Sequence, residues 1–175
     1  MPLYLIELKP AEATKESVGA LIEKVVSAVD SSDGELIETQ VTSDHRIVFV
    51  IVEADSPRFA SPVVKAVEGV AEIAGPDEVR LVGAELDDIK KLKAHADYLV
   101  EWDIPAEITM DQYLARKKAN SPKYAEVPEV SFLRTYVRED TAKCLCFYDA
   151  PDEDAVTRAR AAVQTPIDRL FKLDA

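Results

Sequence analysis

The sequence predicts an α+β fold in which one small domain occurs twice in tandem. Three observations predict it. First, short segments recur about 95 residues apart, a spacing that marks a duplicated domain and not a solenoid array. Tyr4-Leu5-Ile6-Glu7 returns as Tyr98-Leu99-Val100-Glu101, and Pro10-Ala11-Glu12-Ala13-Thr14 as Pro105-Ala106-Glu107-Ile108-Thr109. Ile37-Glu38-Thr39-Gln40-Val41 returns as Leu133-Arg134-Thr135-Tyr136-Val137 when Thr39 is aligned on Thr135. Second, each half alternates short strand-like runs with helical spacing in the same order. Third, Ile47–Val52 and Leu145–Tyr148 are apolar or weakly polar at successive positions, which calls for cover on both faces of a sheet.

In the first half, Leu3–Lys9 reads as a short apolar strand. Thr14–Asp30 is helical, because Val18, Leu21, Ile22, Val25, Val26 and Val29 fall on one face. Ser31-Ser32-Asp33-Gly34 ends it with turn residues. Glu35–Thr42 is a second strand, joined by a tight turn at Ser43-Asp44 to a third, His45–Ala54. A second helix starts at Ser61-Pro62, residues suited to the N-cap and first turn, and stops at Gly75-Pro76. Glu78–Leu86 supplies the fourth strand. Residues 87–96 form a linker with one or two helical turns.

The second half, 97–175, repeats the pattern with strands at 97–103, 129–138, 142–149 and 166–173. Its first helix opens on Thr109 and Gln112, a capping-box pair. Pro122 and Pro128 make the path from Asn120 to Pro128 irregular. Asp152 caps the last helix, which places Ala155, Val156, Ala159, Ala162 and Val163 on one side. The order β-α-β-β-α-β is that of a split βαβ, ferredoxin-like unit. Two such units, 1–86 and 97–175, are expected to pack sheet to sheet as an intramolecular dimeric α+β barrel.

Composition excludes some roles. The net charge is −12, so neither nucleic acid nor an anionic membrane is an expected partner. No apolar run reaches the roughly 18 residues of a membrane span, and the N-terminus starts at once with a strand pattern, so a cytoplasmic location is expected. Two cysteines do not make a disulfide framework.

Strand parity sorts the polar candidates. Ile37, Thr39 and Val41, with Leu133, Thr135 and Val137, are assigned to the helix-packed face. Leu36, Glu38 and Gln40, with Phe132, Arg134 and Tyr136, take the opposite face, together with Glu7 and Glu101. A ligand pocket is therefore expected from Glu7, Glu38, Glu101, Arg134, Tyr136 and Cys146, with Arg134 pairing Glu101. Burying a strand carboxylate requires such a partner, and the same residues could equally be a structural ion pair. Cys144 and Cys146 share one strand face. They read as small buried hydrophobes, with no histidine placed to activate either. Tyr98, Trp102, Phe132, Tyr136 and Tyr148 concentrate aromatics in the second half. Arg116, Lys117, Lys118 and Lys123 form a basic patch on an acidic chain, read as a solvated helix face. There is no phosphate loop, nucleophile elbow or metalloprotease motif, and no catalytic residue is assigned.

Tyr98-Leu99-Val100-Glu101, Phe132-Leu133-Arg134-Thr135-Tyr136-Val137 and Cys146-Phe147-Tyr148-Asp149-Ala150-Pro151 carry a resemblance. Residues 97–173 resemble a family of small ferredoxin-like domains that bind or respond to nickel. The resemblance implies a homodimer-like arrangement, which the duplication would replace within one chain, as a monomer or a higher homo-oligomer. It also implies nickel or another divalent ion. The two histidines, His45 and His95, lie outside the matched motifs, so no metal ligand and no cofactor is assigned. The expected function is small-ligand binding between the two sheets. The alternatives are a cofactor-free enzyme of monooxygenase or isomerase type, or an interaction module.

Overall fold

The computed structural model describes residues 1–92 and 95–174. Lys93 and Ala94 of the expected linker, and Ala175, lie outside the described residues. The chain divides into two compact units, one built on Met1–Val79, residues 86–92 and Asp174, the other on Arg80–Glu85 and His95–Leu173. No helix among the described residues is long and apolar enough to cross a membrane.

The first unit contains β1 (Leu3–Pro10), α1 (Lys15–Asp30), β2 (Glu35–Val41), β3 (Val48–Glu53), α2 (Ala60–Val67), β4 (Ala71–Val82) up to Val79, and α3 (Leu86–Leu92). Its strands run antiparallel in the order β2-β3-β1-β4. Thr14 caps α1 by accepting from the Ser17 amide at 3.1 Å. Val18, Leu21, Val25, Ala28 and Val29 of α1 are buried against Tyr4, Ile6, Leu8, Val48, Val50 and Val52. Those strand residues alternate along β1 and β3, so one face of the sheet carries the helices.

Several boundaries differ from the sequence reading. β3 starts at Val48 and not at His45, β4 ends at Val82 and not at Leu86, and the last strand, Arg169–Lys172, is shorter than 166–173. Both ends of the second helix also move. Ser56 caps a 3-10 turn, Pro57–Phe59, that leads into α2 before Ser61. The helix then ends at Val67 and not at Gly75, because Gly69 takes a positive φ of 81° and turns the chain. The freed residues start β4 early, and it runs through Gly75-Pro76. Gly75 has φ 96°, and a Cβ there would lie 2.5 Å from the Leu5 carbonyl oxygen. The β1–β4 register shifts at the same place, between Leu5 and Glu7. Residues 87–92 of the expected linker fall within α3.

The second unit contains β5 (Tyr98–Asp103), α4 (Met110–Asn120), β6 (Ser131–Arg138), β7 (Lys143–Asp149), α5 (Glu153–Ala162) and β8 (Arg169–Lys172). Its strands repeat the antiparallel order as β6-β7-β5-β8. The tandem ferredoxin-like reading therefore holds. Thr109 and Gln112 form the expected capping box, and Asp152 caps α5 through the Ala155 amide at 2.8 Å. A 3-10 turn, Ser121–Glu126, follows α4 and carries Tyr124. The two inner hairpins also match. At the first, Asp44 accepts from Thr42 at 2.7 Å, and His45 has φ 61°. At the second, Asp140 accepts from the Ala142 amide at 3.0 Å, and Thr141 has φ 60°.

A bulge recurs as well. β2 slips by one residue against β3 between Leu36 and Glu38, and β6 slips against β7 between Phe132 and Arg134. The slip reverses strand parity. Leu36 and Phe132 therefore pack into the helix-covered cores, contrary to the parity assignment. Thr39, Val41, Thr135 and Val137 keep the assigned face, because their register partners Val50, Val48, Cys146 and Cys144 lie on it.

Candidate functional site

The helix-free faces carry five of the six expected pocket residues. In the first unit, Glu7 and Gln40 are register partners of Phe49, and Glu38 of Ile51. Gln40 donates to the Glu38 carboxylate at 3.0 Å, and Glu38 is buried. In the second unit, Glu101 and Tyr136 both face Leu145, and Arg134 faces Phe147 with its guanidinium 4.7 Å from the ring centre. Glu101 does not pair with Arg134. It pairs with Arg169, its register partner on β8, and with Lys143 at 3.6 Å. Arg169 also donates to Asp103 at 2.6 Å. The register decides this, because Arg134 lies opposite Phe147, two residues further along β7 than Leu145.

Cys146, the sixth, points the other way. Its alternation with Leu145 and Phe147 sends it, with Cys144, into the core under α4 and α5. The two sulfurs lie 4.0 Å apart. Thr135 donates to the Cys146 sulfur at 3.2 Å. Arg160, which the sequence reading did not single out, reaches the same sulfur with Nη1 at 3.5 Å and donates to the Tyr148 hydroxyl at 3.1 Å. Its Nη2 donates to the Pro166 carbonyl at 2.6 Å. Arg160 is only 2% exposed, and its buried Nε has no partner among the described residues. Val156 and Val163 stand four residues before and three after it, so it sits within an apolar helix stripe. A charge in such a stripe was the available signal.

Above the sulfurs lies a small, partly open cavity of about 20 Å³, room for about one water molecule, bounded by Trp102, Tyr113, Tyr124 and the three cations Arg116, Lys117 and Arg160. Arg116 lies over the Trp102 ring at 5.4 Å and donates to the Gln164 carbonyl, and its buried Nε also lacks a partner. Lys117 Nζ sits 4.3 Å from the Phe132 ring centre. Phe132 reaches this wall because of the bulge, and it stacks on Tyr124 at 5.4 Å. The expected solvated basic face is thus half turned inward: Arg116 and Lys117 line the cavity, while Lys118 is exposed.

None of the three cavity cations has a carboxylate partner among the described residues. A buried guanidinium needs a compensating charge. Cys146 is the group placed to supply it. A hydrogen bond with Cys144 holds the Cys146 thiol well below the ordinary thiol value, and Lys117, Arg160 and Thr135 add to this against the effect of burial. The Cys144 thiol is pushed up by that same hydrogen bond and by burial. Burial acts against the Arg160 charge, but Cys146 and Tyr148 outweigh it and hold Arg160 above the ordinary arginine value. Burial raises Tyr113, and pushes Tyr124 up to about 12. Both cysteines are buried in the hydrophobic core, as read, and within the pair it is the Cys146 thiol that is held low.

The thiols do not suit the nickel that the resemblance implies, because two positive charges already face Cys146. A better donor set is His95, Asp97 and Asp149, whose ligand atoms all lie within 4.8 Å of one another. His95 Nε2 is 3.0 Å from Asp97 Oδ1 and 3.9 Å from Asp149 Oδ1. That Asp149 oxygen is buried and has no hydrogen-bond partner among the described residues. An imidazole with two carboxylates is a set that first-row divalent ions accept.

Solved structures share the fold. A candidate chlorite dismutase, TA0507, superposes with a TM-score of 0.57 at 14% identity, over 100% of this chain and 96% of its own. A candidate monooxygenase from Lactobacillus acidophilus NCFM gives 0.53 at 10% identity, over 99% and 93%. A candidate monooxygenase from Fusobacterium nucleatum gives 0.54 at 14% identity, over 99% and 91%. At these identities the likeness concerns fold alone. No curated protein matches the chain by sequence. Residues 98–173, most of the second unit, match the family of nickel-responsive, SCO4226-like proteins, the family that their sequence resembles.

Proposed function

We propose that this chain binds a small anionic molecule in the cavity of its second unit. One observation carries the reading. Arg116, Lys117 and Arg160 line the cavity, no carboxylate does, and the chain around them has a net charge of −12. Two buried arginine Nε–H groups without hydrogen-bond partners among the described residues offer donors to a ligand oxygen. Trp102, Tyr113 and Tyr124 supply apolar walls. The ferredoxin-like fold is compatible with a binding protein and with an enzyme, and by itself chooses neither.

Thermal and urea denaturation with added sulfate or formate tests the reading. A ligand at 100 times its Kd stabilises the folded state by about 2.7 kcal/mol. Stabilisation that is lost in Arg116→Ala while the variant stays folded is the expected result. No stabilisation beyond that given by equal ionic strength of chloride would overturn it.

A second reading rests on the His95, Asp97 and Asp149 set, which could hold a divalent ion. Calorimetric titration with nickel chloride should then give one site that disappears in His95→Ala. Unchanged nickel binding in that variant removes this assignment.

A further inference from the structure

We propose that Cys146 is a reactive thiolate that a small hydroperoxide oxidises to a sulfenic acid within this same cavity. The inference rests on the anion-binding reading: the peroxide enters neutral, and the anion that the cavity's donors stabilise is the oxygen that departs. Four features converge. The Cys146 sulfur borders the cavity, so a small molecule can approach it although the residue is 1% exposed. Arg160 Nη1 and Thr135 Oγ1 orient that sulfur by hydrogen bonds at 3.5 and 3.2 Å. The partnerless Nε–H of Arg160 belongs to the same guanidinium, and that of Arg116 to another residue of the lining. Finally, no carboxylate among the described residues competes for either arginine.

The step balances without a further reagent. A sulfur lone pair of the Cys146 thiolate attacks the terminal oxygen of R–O–O–H, and the O–O bond breaks. Sulfur is oxidised to S–O–H, keeping the peroxide proton. The peroxide is reduced to R–O⁻, which takes a proton from water and leaves as an alcohol, or as water when R is hydrogen. Negative charge moves from sulfur to the departing oxygen, and fixed guanidinium donors favour such a shift. A cavity with room for about one water molecule selects hydrogen peroxide over larger hydroperoxides. Cys144, 4.0 Å away, donates to the thiolate and positions it. A disulfide between residues two apart on one strand sits at the upper limit of the usual Cα separation and is strained, so the product is the sulfenic acid.

The groups facing Cys146 define its pH behaviour. They are Cys144 and Tyr148 on β7, Tyr113 and Lys117 on α4, Arg160 on α5, and Tyr124 on the following turn. The cations and the Cys144 hydrogen bond favour thiolate, while the tyrosines stay neutral at physiological pH.

The test uses the full chain, hydrogen peroxide and dimedone, with peptide mass spectrometry. Dimedone should mark Cys146 in the folded protein and leave Cys144 unmarked. The rate should reach half its maximum below the ordinary thiol value of about 8.5. Arg160→Lys should slow it about tenfold, the worth of one charge-assisted hydrogen bond. Should that variant not fold, the wild-type pH profile decides. An unmarked Cys146, or a rate equal to that of urea-unfolded chain, overturns the proposal. Cys146→Ser separates the two ideas: sulfate binding that survives in it leaves the anion reading intact even where oxidation fails.

Discussion

Arg160 is the residue on which the second unit's chemistry turns. It is buried, satisfies the Tyr148 hydroxyl and the Pro166 carbonyl, and stands against the Cys146 sulfur. Arg160→Met keeps the length and removes the charge. The variant should lose about 2–3 kcal/mol, the cost of stranding buried acceptors, as measured by urea denaturation at neutral pH. The pH dependence has a definite sign. The folded-state pKa of Cys146 is depressed, so its contribution to stability is fully present above the ordinary thiol value of about 8.5 and is lost as pH falls through the folded value. The difference in urea midpoint between wild type and Cys146→Ala should therefore grow with pH up to that point, and a flat difference would refute the assignment. At this scale the sequence was half legible. Cys146 was singled out, but parity placed it with Glu101 and Arg134, although its alternation with Phe147 puts it on the other face. Arg160 stayed hidden because an arginine on a helix that also carries Glu153, Asp154 and Arg158 reads as surface, and only its flanking Val156 and Val163 mark it as buried.

Elements were the most legible level, and their failures have local causes. α1, α4 and α5 follow from apolar spacing and from the caps Thr14, Thr109 and Asp152. The α2 boundary was misplaced because Val63, Ala66, Val67 and Val70 continue a helical pattern past Gly69, and backbone conformation overrode it. The paired hairpins give a test at this scale. Thr141 is β-branched, yet it adopts φ 60°, a region such residues rarely enter. Thr141→Gly should raise stability by up to about 1 kcal/mol, because the relief of left-handed strain exceeds the added chain entropy. Equilibrium urea unfolding would show it. Gly75 presents the opposite case. Alanine there meets both a positive φ and the Leu5 carbonyl, so Gly75→Ala should cost several times that amount, about 3 kcal/mol or more.

Across the whole molecule, charge and duplication are the governing facts. With 33 acidic against 21 basic residues, solubility should be lowest near the sequence isoelectric point of 4.6, where self-repulsion vanishes. Light scattering across pH 4–8 would show the minimum. Duplication made the fold legible early, since each segment was read twice. It did not expose the bulges, because an added residue in both copies leaves their alignment undisturbed. Yet each bulge acts as a change of reading frame within a strand. Letters before the shift are printed on one side of the sheet and letters after it on the other. Deleting Leu133 would restore plain alternation and turn Phe132 away from Tyr124 and Lys117. Tyr124 and Lys117, which line the cavity, would lose the ring they pack against with no lining residue mutated. The cavity's shape is thus encoded by the phase of β6 as well as by the identities of its side chains.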